Sequence, residues 1–348
     1  MIDAPTFSTD VVKSTEFGRD ARSGLLSTLA AQPGSTAGWW RDLPWSLRAT
    51  DDSIELHLEH LQEEAIDDPA NREFVVACGA LLLNLRLAAR NAEWELDVEH
   101  WPDAGDPSFV ARARLAGRAE PSHEEGALFG VLSRSESFDP RRTAGPFSPA
   151  MVAVLRHAAR TEGGWVDVIA DDARREMVGD LASRAELLAD CVCGARRLVT
   201  PVRRGVADTL ASPVLMRRGA PIMTELMTVL GSNVMPGNEW SERPAVHVRS
   251  VALEAPVLLV LGACDDTPEG WLLAGAALQR MLLHASAQGV TATFINEPLQ
   301  HPLLRDALQE MLFAGGAPQA IVRLDFDSNA SVDTPARASS RVSSHQLV

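Results

Sequence analysis

Two stretches of the chain share one pattern of apolar and small residues: residues 78–98 and residues 274–294. In each stretch small residues come first, leucines follow at helical spacing, and a short strand-like segment closes the pattern. Five positions are identical when the stretches are aligned at an offset of 196: Gly79 with Gly275, Ala80 with Ala276, Leu82 with Leu278, Leu87 with Leu283, and Ala89 with Ala285. Small residues let helix backbones approach closely, so residues 78–92 and 274–288 are predicted to form paired central helices.

Apolar patterning predicts further elements along the chain. Residues 53–60 alternate apolar and polar side chains, so they are predicted to form a half-buried strand with His57 on its polar face. Strands are also predicted at three other apolar stretches: 94–98, 257–263 and 321–326. Helices are predicted at 22–31, at 106–117 and at 151–162, the last of them preceded by the capping residues Ser148 and Pro149.

The repeat indicates two related halves within one chain. We assign a polar lead to residues 1–21, a first half to 22–130, a second half to 131–326 and a tail to 327–348. Two fused copies would reproduce internally the interface of a two-fold dimer, so a monomer is expected. Residues 163–244 have no counterpart in the first half and are interpreted either as a lid over a site or as a peripheral helical excursion.

Charge and composition exclude several classes of function. The formal net charge of −15 repels phosphate backbones and anionic membranes, so no nucleic-acid partner is expected. No apolar run reaches the ~18 residues that a membrane span needs, so no membrane partner is expected. The N-terminus lacks the pattern of a signal peptide, and the four cysteines show neither disulfide nor zinc spacing. A cytoplasmic location is therefore expected.

Residue usage also limits the chemistry of a site. Lys13 is the only lysine, and tyrosine is absent. Schiff-base chemistry, a P-loop lysine and a phenolic acid are therefore not expected, and an anion would be held by arginine, serine or backbone N–H groups. His57 and His60 are either metal ligands or solvated strand residues, and the alternation favours solvated residues. No metal site is expected.

Two segments resemble a known family. Residues 78–94 are similar to the CGAALFNLR-type helix, and residues 271–308 to the AGxALQRxLLxAxxxGLxxxFLNQPxExPxLR segment, of the Acg-like branch of the nitroreductase superfamily. The resemblance covers most of residues 22–340. It implies an α+β, nitroreductase-like fold: an internally duplicated pseudo-dimer with mixed sheets wrapped by helices around central helices. It also implies FMN at the interface between the halves, and NAD(P)H-dependent reduction of a small aromatic or nitro-containing acceptor.

The resemblance assigns the flavin ring to a PSxxNxQPW-type segment, which corresponds to residues 33–45. Pro33, Ser35 and Trp45 are retained and are the candidate ring contacts. Leu43 stands in place of the family's glutamine, and the segment contains no asparagine. Two hydrogen-bonding side chains of the family are thus absent. The tryptophans of this segment either line a pocket for an aromatic acceptor or fill core.

The family's FMN phosphate lies near an arginine-rich RRTNR-type segment and a C-terminal TPRRP-type segment. The first reads SRSES here, at residues 133–137. The candidate phosphate ligands are therefore Arg134 and the nearby Arg141 or Arg142, unless these are solvated surface residues. The second keeps Arg337, whereas its neighbouring arginine is replaced by Ala336.

A further, FLNQP-type segment places Asn296 and Glu297 beside the ring. Because each charge-assisted hydrogen bond contributes roughly 1.5–3 kcal/mol, the missing arginine and amide contacts predict FMN binding that is weakened or lost. Three functions remain open: an FMN-dependent oxidoreductase, a non-catalytic protein that binds or sequesters flavin or another small ligand at a degenerate site, or a degenerate structural protein with no ligand. No catalytic side chain is predicted, because a flavin carries the redox chemistry itself.

Overall fold

The computed structural model describes residues 24–27, 45–58, 72–132, 147–199, 245–312 and 315–326. Its strands form two four-stranded sheets. The strands of the first sheet are β1 (Trp45–Ala49), β2 (Ser53–Leu58), β3 (Trp94–His100) and β4 (Phe109–Arg118). Those of the second are β5 (Gly164–Val168), β6 (Val257–Ala263), β7 (Val290–Phe294) and β8 (Ala317–Phe326).

Both sheets have the same strand order, β1-β2-β4-β3 in the first and β5-β6-β8-β7 in the second. Every neighbouring pair among the described strands is antiparallel. The expectation of mixed sheets is therefore wrong for the described part of the chain. The combination of helices with antiparallel sheets is α+β, as expected, and is compatible with a nitroreductase-like fold.

The helices follow one another in chain order. They are α1 (Arg72–Asn91), α2 (His123–Leu132), α3 (Pro149–Thr161), α4 (Asp172–Val199), α5 (Ala245–Leu253), α6 (Pro268–Ala287), α7 (Glu297–Gln300) and α8 (Pro302–Met311). Residues 24–27, within the helix predicted at 22–31, are also helical. Of the helices described, none is long and apolar enough to cross a membrane.

Capping residues explain where α3 and α6 begin. The hydroxyl of Ser148 accepts a hydrogen bond from the Met151 N–H, and Pro149 follows it, as predicted. Thr267 caps α6 in the same way, by accepting from Gly270 N–H, and is followed by Pro268. These caps satisfy N–H groups that a helix leaves unpaired in its first turn.

The predicted central helices are α1 and α6, which are each 20 residues long and begin 196 positions apart. They cross at two glycines. A Cβ added to Gly79 would come within 3.0 Å of the Leu272 carbonyl, and a Cβ added to Gly275 would come within 3.0 Å of the Val76 carbonyl. The backbones are thus in direct contact, which only glycine permits at these positions.

The core has two main layers. One cluster joins α1 and α6 to the inner faces of both sheets and includes Leu56, Leu261 and Leu278. A second cluster covers the other face of the second sheet, where Val260 packs with Val178 of α4 and other apolar residues of α5, α7 and α8. The second sheet is therefore buried on both faces, whereas the opposite face of the first sheet carries charged pairs such as Arg112 with Glu55.

The predicted helix at 106–117 is wrong, because most of this stretch is strand β4. Alanine and arginine are good helix formers, which favoured the helix. The decisive pattern has a period of two: Ala111 and Ala113 are buried, whereas Arg112 and Arg114 lie on the polar face. The other predicted strands and the helix at 151–162 are confirmed by β2, β3, β6, β8 and α3.

Part of the span interpreted as an insertion, 163–244, belongs to the fold of the second half. Strand β5 pairs with β6 at the edge of the second sheet, as β1 pairs with β2 in the first. Helix α4 packs in the second core cluster. The lid interpretation can therefore apply only to residues 200–244, which lie outside the described residues, and there it stays a prediction.

Candidate functional site

Asn296 lies at the junction between β7 and α7, and its side chain is used in an uncommon way. It occupies the N-cap position of α7 without capping that helix. Instead, its Oδ1 accepts a hydrogen bond of 2.9 Å from the Ile321 N–H of β8. The residue is 1% exposed, and its Nδ2 has no partner among the described residues. A buried amide donor without an acceptor is rare in folded proteins and indicates a place for a ligand group or a water.

Glu297, the first residue of α7, is a second buried polar group. Its side chain is only 6% exposed, and Oε2 makes no hydrogen bond within the described structure. The pKa of this carboxyl is raised to about 7, chiefly by burial; the Glu297 backbone N–H opposes the rise, and the negative charge of Glu186 on α4 adds a smaller contribution to it. Glu297 therefore exchanges a proton near neutral pH.

The short helix α7 is also held from the first half of the chain. Arg72, the first residue of α1, donates from Nη2 to the Leu299 carbonyl at 3.3 Å. Its Nη1 donates to Gln319 Oε1 at 2.9 Å. Arg72 is 2% exposed and Gln319 is fully buried, so these contacts form in a region closed to solvent.

Gln319 extends this network to the loop before α6. Its Nε2 donates to Asp266 Oδ1 at 3.2 Å. The same carboxylate accepts from Trp271 Nε1 at 2.6 Å and pairs with Arg305 of α8. Asp266 immediately precedes the N-cap of α6, so α1, β8, α6 and α8 are joined through one set of polar contacts.

A separate ionic cluster lies further along the central helices. Glu162, the C-cap of α3, accepts from Arg86 of α1 at 3.0 and 2.7 Å and from Arg280 Nε of α6 at 2.7 Å. Arg280 also donates to Glu124 of α2 at 2.8 Å. Burial raises the pKa of Glu162, but the hydrogen bonds and charges of the two arginines outweigh it and leave the pKa below its usual value. Because both Glu162 oxygens are occupied by arginines, this cluster is a structural connection between the helices.

The predicted site residues divide into two groups. Asn296 and Glu297 are described, and they lie together at the start of α7. Trp45 begins β1, where its backbone is paired with Leu58, but its side chain lies outside the described structure. The remaining candidates also lie outside the described residues: Pro33, Ser35, Arg134, Arg142 and Arg337.

The sequence pattern did not indicate Arg72, Gln319 or Glu186. Arg72 and Glu73 form a charged pair at the start of a largely apolar helix, which was the only local signal. The contact from Arg72 to Leu299 joins residues 227 positions apart. Such a contact depends on how the halves pack and cannot be read from local spacing.

His57 is a strand residue of the polar face, as its position in β2 predicted. Its ring stacks on Phe109, with centroids 4.4 Å apart, and its Nε2 lies 3.4 Å from Glu55 Oε2. His60 lies outside the described residues. Within the described ranges, no group of three or more His, Cys, Asp or Glu side chains could hold a metal ion.

The hydrogen-bonding chemistry of the unpaired atoms at the start of α7 is compatible with a flavin ring. The Asn296 Nδ2 is a donor, and the polar edge of an isoalloxazine ring offers carbonyl and ring-nitrogen acceptors. Glu297 can donate when protonated and accept when ionised. These two side chains could therefore contact the ring, and the predicted phosphate ligands Arg134, Arg142 and Arg337 lie outside the described part of the chain.

No family model matches the chain. It is 25% identical to "Putative NAD(P)H nitroreductase Rv3131" of Mycobacterium tuberculosis (strain ATCC 25618 / H37Rv), over 86% of this chain and 85% of that protein. It is 24% identical to "Putative NAD(P)H nitroreductase acg" of the same strain, over 84% of this chain and 86% of the relative. "Uncharacterized protein Rv3127" is also 24% identical, over 74% and 72%. Two of these three relatives thus carry nitroreductase names.

Proposed function

We propose that this chain is an FMN-dependent oxidoreductase that takes hydride from NAD(P)H and reduces a small aromatic or nitro-containing acceptor. The observation that carries the proposal is the unsatisfied Nδ2 of Asn296 beside the buried carboxyl of Glu297. Both lie in the segment that resembles the family's flavin-contact segment. The printed names of two relatives, each beginning "Putative NAD(P)H nitroreductase", support the same reaction class.

When bound, FMN supplies the two-electron redox chemistry. The Asn296 amide would orient the ring by donating to an acceptor on its polar edge. Glu297 would adjust the local charge, since its pKa near 7 lets it exist in either protonation state.

The remaining proposed contacts lie outside the described side chains. On the other side of the ring we propose Pro33, Ser35 and Trp45. We assign the phosphate to Arg337, with help from Arg134 or Arg142.

The proposal places the ring between two homologous halves, residues 22–130 and 131–326. Two features support an internal duplication: the common strand order of the sheets and the equal length and spacing of α1 and α6. In a duplicated chain the interface of an ancestral dimer is already satisfied. We therefore propose a monomer, and a sedimentation experiment that gave a stable dimer through α1 and α6 would contradict it.

A second function has its own support: a non-catalytic protein that binds or sequesters flavin or another small ligand. The replacement of the family's glutamine by Leu43 and of an arginine by Ala336 favours weaker cofactor binding. The same fold and the same ring contacts would then serve storage.

Anaerobic reduction of the FMN-loaded full chain separates the two functions. An oxidoreductase is expected to lose its visible flavin bands when NADH or NADPH is added, and to regain them when a nitroaromatic acceptor follows. Bound flavin that stays oxidised with either nucleotide, yet is reduced by dithionite, would contradict the oxidoreductase and support the binding protein. A chain that binds no FMN would contradict every flavin function.

A further inference from the structure

Arg72 stands where a cation is electrostatically unfavourable. It is the first residue of α1, and the N-terminus of a helix carries the positive end of the helix dipole. It is also 2% exposed, so its guanidinium has lost its hydration. A buried charge of this kind is tolerated only when protein groups replace the water.

The groups that replace the water belong mostly to the other half of the chain. Arg72 donates to the Leu299 carbonyl, to Gln319 Oε1 and, at 3.4 Å, to the Gln319 carbonyl. Within its own helix the described ion-pair partner is Glu73, at 3.7 Å. The fork of the guanidinium therefore joins the start of α1 to both α7 and β8.

The contact with Leu299 matters because α7 has only four residues. A helix of that length has almost no internal hydrogen bonds, and its last carbonyls need external donors. One end of α7 is held by the Asn296 Oδ1, which accepts from Ile321 N–H at 2.9 Å. The other end is held by Arg72. These two contacts anchor the segment that carries the free Asn296 Nδ2 and the Glu297 carboxyl.

We propose that Arg72 is a positioning residue, through which the first half sets the orientation of the Asn296–Glu297 segment of the second half. The part of this proposal that concerns flavin rests on the proposed function. Removal of the guanidinium releases one end of α7 and lets the amide donor move away from the ring. An ammonium group cannot replace it fully, because a lysine lacks the planar fork that reaches both Leu299 and Gln319.

The test compares Arg72→Met and Arg72→Lys with Arg280→Met in the full chain. Arg280 is a matched control, since it is 5% exposed and bridges elements of both halves through Glu162 and Glu124, neither of which lies in α7. Two quantities are measured for each variant: backbone hydrogen exchange of residues 295–300 without flavin, and the dissociation constant for FMN. The lysine variant covers the case in which the methionine variant does not fold.

Arg72→Met is expected to raise exchange in 295–300 at least about tenfold more than Arg280→Met does, and to weaken FMN binding at least about tenfold. Arg72→Lys should give intermediate values for both. Unchanged exchange in 295–300, or FMN binding equal to that of the unsubstituted chain, would overturn the proposal. An unsubstituted chain that binds no FMN overturns the proposed function instead, and the exchange data then decide alone whether Arg72 holds α7.

Discussion

Gly79 of α1 and Gly275 of α6 make the same contact in opposite directions across the central helix pair. Gly79 lies against the carbonyl of Leu272, and Gly275 lies against the carbonyl of Val76. Each member of one contact is 196 positions from its counterpart in the other. A reciprocal contact of this kind is expected of two fused copies of one subunit.

Substitution of either glycine by alanine should separate the central helices. Gly79→Ala and Gly275→Ala are each expected to lower the free energy of unfolding by about 1–3 kcal/mol, because the new methyl group would overlap a backbone carbonyl. Gly126→Ala is the matched control, since Gly126 lies in α2 and a methyl group added there would have no atom within 4 Å. It should be neutral or slightly stabilising. Urea unfolding measures all three, and equal effects at the three positions would contradict the close contact.

Glu93 offers a stabilising substitution. It follows α1 with φ of 61°, in the left-handed region, where the corresponding residue after α6 is Gly289 with φ of 74°. Glycine adopts this conformation without strain, so Glu93→Gly is expected to stabilise the protein by about 0.5–1 kcal/mol. Glu93→Gln controls for loss of the exposed pair with Arg118, and should change stability by less than about 0.5 kcal/mol. A glycine variant no more stable than the glutamine variant would contradict the assignment of strain.

Glu297 should make the protein less stable as the pH rises. Its pKa is raised in the folded state to about 7 from 4.5, so its contribution to stability is complete below pH 4.5 and is lost as the pH rises through about 7. Glu297→Gln removes this loss. The free energy of unfolding of the variant, relative to that of the unsubstituted protein, is therefore expected to rise between pH 4.5 and 7, by up to about 3 kcal/mol.

Chemical unfolding at pH 5 and pH 8 measures this difference. Glu120→Gln, a substitution at an exposed glutamate, is the control and should show none of it. The description of a buried carboxyl would be wrong if the stability of Glu297→Gln relative to the unsubstituted chain were the same at both pH values.

Glu162 should have the opposite pH dependence. Its pKa lies below 4.5 in the folded state, so its contribution is present above pH 4.5 and is lost as the pH falls through the folded value. Glu162→Gln at neutral pH is expected to cost about 3 kcal/mol, because Arg280 is left buried with one ionic partner fewer. Thermal unfolding of Glu162→Gln is compared with that of Glu93→Gln, which removes an exposed ion pair. A cost no larger than that of Glu93→Gln would contradict the structural role of the cluster.

Elements with a strong local pattern could be predicted from the sequence. Strand β6 was predicted at the residues where it lies. Its seven residues are all apolar, and a run that is wholly apolar and that short is typical of a strand buried on both faces. The start of α3 followed from Ser148 and Pro149, whose effects on a helix N-terminus are local. Strand β4 was not predicted, since alanine and arginine favour a helix unless their alternation is given more weight.

The site could be predicted only in part. Resemblance indicated Asn296 and Glu297 as candidate contacts, but not the Ile321 N–H that occupies one side of the Asn296 amide. The raised pKa of Glu297 also depends on burial and on Glu186, which is distant in sequence. These properties arise when α4, α7 and β8 pack together, so no local pattern contains them.

The most direct test of the proposed flavin site is a titration of the purified full chain with FMN, followed by quenching of flavin fluorescence. We predict saturation at one FMN per chain, with the dissociation constant at least about tenfold higher for Arg337→Ala, because one charge-assisted phosphate contact is lost. Arg341→Ala, which removes the same charge four residues further on, should leave the constant unchanged. No saturable binding, or binding equally tight in Arg337→Ala and the unsubstituted chain, would contradict the account.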